Sequence, residues 1–226
     1  MVRMGNKGAI MTVTVLLSSP KGGVGKSSLS RNLLASAAQA GKRVVGIDLD
    51  QQATLKTWSE RRERARSAIP GLPSVPVIAA PLSGWRAALK QAQAEKPDLN
   101  VIDTPPSVEQ NTPAIASLSD AATVVLVPCQ PMQDDVDSTT PWMRRLLGSK
   151  AHGIFILNRA NRRTKSFATI QTKLLAVGPL CPIDIPHLEE IHFAAGKGLG
   201  VADLTKAVSR ETFDGLWSFV AREAGL

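Results

Sequence analysis

About seven short apolar runs recur along the chain, separated by stretches whose apolar residues repeat at helical spacing. Val13 to Leu17, Val44 to Ile47, Val75 to Ala79, Leu99 to Asp103, Ala121 to Val127, Gly153 to Leu157 and Cys181 to Ile185 read as strands. They are apolar almost throughout instead of alternating, as strands covered on both faces must be. Between them, Ser28 to Ala40 carries Leu29, Leu33, Leu34 and Ala37 at helical spacing and stops at Gly41. Leu82 to Glu95 does the same with Trp85, Ala88, Leu89 and Ala92, and Pro97 ends it. Helices are also expected over Met132 to Leu147, from Arg162 to Val177, and over Thr205 to Gly225, the last with Val208, Phe213, Leu216, Trp217 and Val220 on one side. Thr54 to Ser67 is crowded with Lys56, Arg61, Arg62, Arg64 and Arg66 against Glu60 and Glu63, and reads as a solvated helix face. The alternation predicts one α/β domain over residues 12–226: a mostly parallel, doubly wound sheet of about seven strands with helices on both faces.

The polar residues at the strand ends carry the candidate chemistry. After the first strand comes Ser18-Ser19-Pro20-Lys21-Gly22-Gly23-Val24-Gly25-Lys26-Ser27-Ser28, a glycine-rich loop that opens a helix. Gly22, Gly23 and Gly25 let the backbone bring its N–H groups against phosphate oxygens at a helix N-terminus. Lys26 is placed to reach the β- and γ-phosphates and the Ser27 hydroxyl to complete a Mg²⁺ shell. The second strand ends in Asp48-Leu49-Asp50, two carboxylates two residues apart and so on one strand face. In an open parallel sheet, the ligand crevice lies at the carboxyl ends of the strands, which puts both acids beside the phosphate loop. Capping of the following helix by Asp48 and Asp50 is the alternative use of the pair. The fourth strand ends in Asp103 and then Thr104-Pro105-Pro106, where prolines stop further pairing.

The loop has Pro20 where an ordinary phosphate loop has its first glycine, and an additional lysine at Lys21. In this it resembles the deviant Walker A motif, Lys-Gly-Gly-x-Gly-Lys-Ser/Thr, of the ParA/MinD family of dimeric ATPases, whose fold is a P-loop NTPase of the SIMIBI type. The resemblance implies that residues 21–28, Val24 and Ser28 included, bind nucleotide, and that Lys21 crosses a dimer interface to the partner's nucleotide. Asp48-Leu49-Asp50-Gln51-Gln52 is similar to the family's Asp-x-Asp-Pro-Gln, with Gln51 in place of proline. By that likeness Asp50 orients the attacking water and Asp48 lies near the metal shell. Asp103 corresponds to the Walker B aspartate that holds the Mg²⁺ water shell, and the loop after it senses the γ-phosphate. Val127-Pro128-Cys129-Gln130-Pro131 resembles a family segment at the nucleotide edge of the dimer interface. Asn158 is the implied adenine reader, and the backbone from Pro186 packs against the base. Lys21, Lys26 and Asp50 are thus the expected catalytic set, with Ser27, Asp48 and Asp103 at the metal.

Composition narrows the branch. Lys plus Arg number 27 against 19 Asp plus Glu, a net charge of +8 that attracts a polyanion. Cys129 and Cys181 form no CxxC, which excludes a zinc site or a disulfide framework and fits a reducing cytoplasm. Cys129 reads as a buried small hydrophobe, and His152, His187 and His192, without metal-ligand spacing, as structural. Gly196-Lys197-Gly198-Leu199-Gly200 follows a helical stretch and reads as a flexible loop. Residues 1–11 read as a disordered extension or a misassigned start ahead of Met11. With so short a leader, no helix-turn-helix domain is expected, and Glu211, Asp214 and Glu223 oppose the use of the last helix on an anionic membrane. The expectation is a small ParA-type ATPase that uses ATP and Mg²⁺, dimerises with ATP, and binds DNA without sequence preference in the cytoplasm at the nucleoid. Arg162, Arg163, Lys173, Lys197, Lys206 and Arg210 are the DNA candidates. A ParB-like or cargo-adaptor protein would stimulate hydrolysis; a MinD-like membrane-associated spatial regulator is the alternative.

Overall fold

A computed structural model describes residues 12–106 and 112–226. The extension read at residues 1–11 and residues 107–111, in the loop expected to sense the γ-phosphate, lie outside the described residues. Seven strands, β1 (Val13–Leu17), β2 (Val44–Asp48), β3 (Val77–Ala79), β4 (Leu99–Asp103), β5 (Val124–Cys129), β6 (Gly153–Ala160) and β7 (Ile185–Pro186), form one sheet in the order β3-β2-β4-β1-β5-β6-β7. Every pair is parallel. The chain moves outward from β1 in one direction through β2 and β3, returns to β4, and then continues through β5 on the other side of β1. That reversal opens a crevice at the carboxyl ends of β1 and its neighbours, where the phosphate loop and both candidate acid strands converge.

Alternate strand residues feed two separate cores. Val13, Val15 and Leu17 face the helices α1 (Lys26–Gln39), α2 (Thr54–Arg66), α7 (Glu189–Gly196) and α8 (Arg210–Ala224). Leu16, with Val125 and Val127 of β5, faces α3 (Trp85–Ala94), α4 (Thr112–Ala121), α5 (Gln133–Leu147) and α6 (Lys165–Leu175). The doubly wound arrangement expected from the alternation of elements is therefore present. Phe213, Leu216 and Val220 bury the apolar side of α8 in the first of these cores.

Several boundaries differ from the sequence expectation. The last strand is Ile185–Pro186, not Cys181 to Ile185. Pro182 has no N–H to give a ladder, so the chain bridges Leu180 to Phe155, detours, and pairs again at Ile185 with Asn158. α4 was not expected; it occupies the start of the run assigned to the fifth strand, which begins only at Val124. α8 begins at Arg210, and Val208, expected on its apolar side, is 86% exposed in the preceding turn. Lys96, in the left-handed region at φ 49°, closes α3 just ahead of Pro97.

The largest correction concerns α2. Arg62 is not solvated: its guanidinium is fully buried, paired to Asp203 at 2.6 and 3.1 Å, donating through Nε to Pro73 O at 2.9 Å and lying over the Trp58 ring. Trp58 in turn donates to Leu199 O at 3.1 Å. The glycine stretch 196–200 is locked by these contacts instead of being flexible. A Cβ at Gly198, whose φ is 74°, would collide with the α2 backbone at Arg61 and Arg62, so only glycine lets the loop come this close. Asp203→Asn leaves the Arg62 charge buried and uncompensated, and equilibrium urea unfolding should show a loss of about 3–5 kcal/mol. Replacing both partners, as Arg62→Met with Asp203→Leu, should recover most of it.

Candidate functional site

The phosphate loop runs from the buried Ser18 and Ser19 into α1. Gly23 and Gly25 take φ of 74° and 95°, conformations that turn the backbone toward the cleft. Gly25 caps α1 with no side-chain hydrogen bond, so the first-turn N–H groups stay open to an anion and carry the positive end of the helix dipole. Lys26 is buried, with Nζ 3.4 Å from Ser19 O and 3.2 Å from Lys21 O. Burial holds its pKa below the ordinary lysine value, while Asp103 and Asp50 pull it back up. A cleft of about 270 Å³ opens here, bordered by residues of the loop and the start of α1, among them Gly25, Lys26 and Ser27, together with Asp50, Thr54 and Thr104.

The three candidate acids are divided in function. Asp48 and Asp103 are register partners across β2 and β4 and both are fully buried. Asp48 accepts Asp50 N at 3.1 Å and Lys56 N at 2.9 Å, so it shapes the β2–α2 turn and caps α2. Of the two acids for which capping is the alternative, Asp48 takes that task instead of bordering the cleft at the expected metal site, and burial raises its pKa. Asp50 accepts Gln52 N at 3.0 Å and borders the cleft. Neither oxygen of Asp103 has a hydrogen-bond partner, which is costly for a buried carboxylate. Burial raises its pKa to about 7; the Ser27 hydroxyl and Lys26 lower it, and Asp48 and Asp50 push it further up. An orphaned carboxylate facing a hydroxyl beside a phosphate loop fits a hard divalent cation that takes its remaining oxygens from water and phosphate.

Lys21 turns away from the cleft of its own chain. Its ammonium is paired with Asp135, which also accepts Gln130 N at 3.0 Å, and that bond raises its pKa. Gln130 Nε2 reaches Gly23 O at 3.3 Å, tying the β5 loop to the phosphate loop. Asn158, the expected adenine reader, is buried and donates through Nδ2 to Val24 O at 2.6 Å. A Cβ at Gly25 would overlap that amide, so Asn158 braces the loop in the nucleotide-free chain. It also borders a small pocket with Pro186, His187 and His192. His192 borders the phosphate cleft too, so this histidine, read as structural, lies at the site.

Three residues of the site escaped the sequence reading. Asp135 was noticed but given no role, and its contact with Lys21 spans 114 positions of sequence. Arg159 borders the cleft from a left-handed backbone, φ 52°, at the register shift between β6 and β7, which no local pattern announces. Arg31 also borders the cleft. Its signal was available: one turn beyond Ser27, a long side chain points back toward the helix N-terminus.

The six DNA candidates are all exposed but do not form one patch. Lys173 lies on α6 and bonds Gln133 at 2.6 Å, whereas Lys197, Lys206 and Arg210 lie by α7 and α8 on the opposite side of the sheet. Arg162 is paired with Asp184 at 2.7 Å, Lys197 lies 4.1 Å from the Phe193 ring centroid, and Arg163 stays at the end of β6. Cys129 and Cys181 are buried thiols with pKa pushed up to about 11 by burial, which makes them poor nucleophiles.

A family model described as the CobQ/CobB/MinD/ParA nucleotide binding domain matches residues 15–201. The chain belongs to this family. It is 28% identical over 197 residues to the maintenance of carboxysome distribution protein A of Halothiobacillus neapolitanus, covering 84% of this chain and 87% of that protein. To the chromosome-partitioning ATPase Soj of Thermus thermophilus it is 31% identical over 137 residues, 51% of this chain and 54% of that one. Its fold matches that of the septum site-determining protein MinD of Pyrococcus horikoshii, solved with Mg-ADP, at a TM-score of 0.76 and 20% identity over 95% of this chain and 98% of that one. This is a family of P-loop ATPases that includes partitioning and positioning proteins.

Asp103 binds its proton more tightly in the folded, metal-free protein than in the unfolded chain, so its ionisation costs stability above pH 7. The cost shrinks as pH falls through 7 toward the ordinary carboxylate range. Asp103→Asn should therefore stabilise the metal-free protein at about pH 8 by a few kcal/mol, an advantage that fades toward about pH 4. Urea unfolding in EDTA over a pH series measures it.

Proposed function

We propose that this protein is a small ParA-type ATPase that binds ATP with Mg²⁺, dimerises around it, and positions DNA or another large cargo. The observation that carries this reading is the division of the two loop lysines: Lys26 is buried at its own cleft, while Lys21 does not border that cleft and instead pairs, partly exposed, with the buried Asp135. In this reading Lys21, engaged away from the nucleotide cleft of its own chain, serves the nucleotide of a partner.

In this mechanism the open N–H groups of α1 and Lys26 neutralise the phosphates; Ser27 and Asp103 would hold a divalent cation, which would supply further charge neutralisation. Asp50, free of the capping task that occupies Asp48, orients the attacking water and accepts its proton. The water oxygen bonds to the γ-phosphorus as the bond to the bridging oxygen breaks, and ADP and phosphate leave. The docked face of α8 argues against its use on a membrane, which favours DNA over the membrane regulator. A protein on the cargo would stimulate turnover, and the site of action would be the cytoplasmic nucleoid.

Lys26→Ala should reduce ATP turnover at least about a hundredfold; Lys21→Ala should still bind ATP but remain monomeric on size exclusion with a slowly hydrolysed analogue. DNA retardation should require ATP, ignore sequence, and weaken with salt at a log–log slope of about 0.9 per phosphate contacted. Equal retardation with ATP, ADP and no nucleotide would defeat the gated-DNA reading.

A further inference from the structure

Arg31 has no role in the loop motif, yet it lies on α1 one turn beyond Ser27 and borders the cleft with Lys26, Asp50 and Thr54. Its Nε is buried and has no hydrogen-bond partner, and among the described residues its guanidinium forms no ion pair. The side chain as a whole is only partly buried, but an Nε–H shut off from water without an acceptor is unfavourable and leaves the guanidinium short of a partner. Burial lowers its pKa; Asp103 raises it, and Arg61 on α2 lowers it further, so the nearest neighbours only partly compensate the charge. The direction of the side chain follows from helix geometry: a long residue covers the turn N-terminal to its own Cα, here the turn that carries Ser27 and Ser28.

We propose that Arg31 is a phosphate-binding residue of the cleft, contacting the terminal phosphate of a bound nucleoside triphosphate from α1, beside Ser27 and Ser28. This rests on the reading of the cleft as an ATP site. A planar, permanently charged fork suits phosphate oxygens, and an anion would supply the partner that the apo protein lacks. Arg31 borders the cleft together with Asp50, the residue read as orienting the attacking water, so its contact belongs to the phosphate that is attacked and discriminates triphosphate from diphosphate. The residue is thus retained at a cost to the apo fold, as binding groups often are.

The test uses the whole chain with Arg31→Met, Arg31→Gln and Arg31→Lys. Thermal melting without nucleotide is measured beside dissociation constants for a slowly hydrolysed ATP analogue and for ADP, each with Mg²⁺. The expected result for Arg31→Met and Arg31→Gln is an apo melting temperature equal to or above wild type. Affinity for the analogue should fall about tenfold or more, with a smaller loss for ADP, as loss of one charge-assisted bond predicts. Arg31→Lys should retain part of the preference. Analogue and ADP affinities within twofold of wild type, or losses equal for the two, would overturn the proposal, as would a lowered apo melting temperature with unchanged affinity. If wild type itself fails to bind the analogue, the ATP reading falls first; if wild type binds and the variants match it, only the role of Arg31 falls.

Discussion

Charge buried at the carboxyl ends of three adjacent strands is the constraint on which the rest of this structure depends. Asp48, Asp103 and Lys26 are all withdrawn from water within one turn of the sheet edge. Only Asp48 is fully satisfied, by the two backbone N–H groups it holds. The Asp103 carboxylate, lacking any partner, is compensated incompletely by Lys26 and Ser27. Such a cluster is unfavourable as an empty fold and favourable around a polyphosphate and its cation, which would supply the missing counter-charges. The strands are anchored by ordinary hydrophobic layers on both faces, and these layers have to bear the strain of the site.

Those layers also hold the walls of the cleft at fixed distance. α2, which carries Thr54 at its start, is pinned at its middle by Arg62, through Asp203 to the short 3₁₀ segment Val201–Asp203 that packs on α1. Gly200 is pressed so closely on Ala35 of α1 that a side chain there would overlap it. One buried ion pair and two glycines thus join α1, α2 and the approach to α8 into a unit.

The phosphate loop is braced from its other side by β5 and β6. Gln130 holds Gly23, Asp135 holds Lys21, and Asn158 holds Val24, so three neighbouring positions of the loop are fixed by residues more than a hundred positions away. A nucleotide that reorganises Asn158 therefore acts on the same segment that positions Lys21.

The sequence by itself determined the fold class, the seven-strand count and the phosphate loop. Continuous apolar runs, glycines at fixed spacing and acids at strand ends are local consequences of burial and backbone freedom. It also marked Asp48, Asp50 and Asp103 as neighbours, since parallel strands bring their carboxyl ends to one edge. Tertiary structure alone decided how the tasks were shared: that Asp48 caps while Asp50 faces the cleft, that Arg62 leaves a charged helix face to enter the core, and that Asp135 claims Lys21. It likewise scattered the basic candidates over two sides of the sheet and turned the 196–200 glycines into a packing surface. The Asp48 cap is a local turn, but the fates of Lys21 and Arg62 rest on pairings across more than 100 positions, with Asp135 and Asp203. A side chain's neighbours at that range are set by how the layers close, and no pattern along the chain records them.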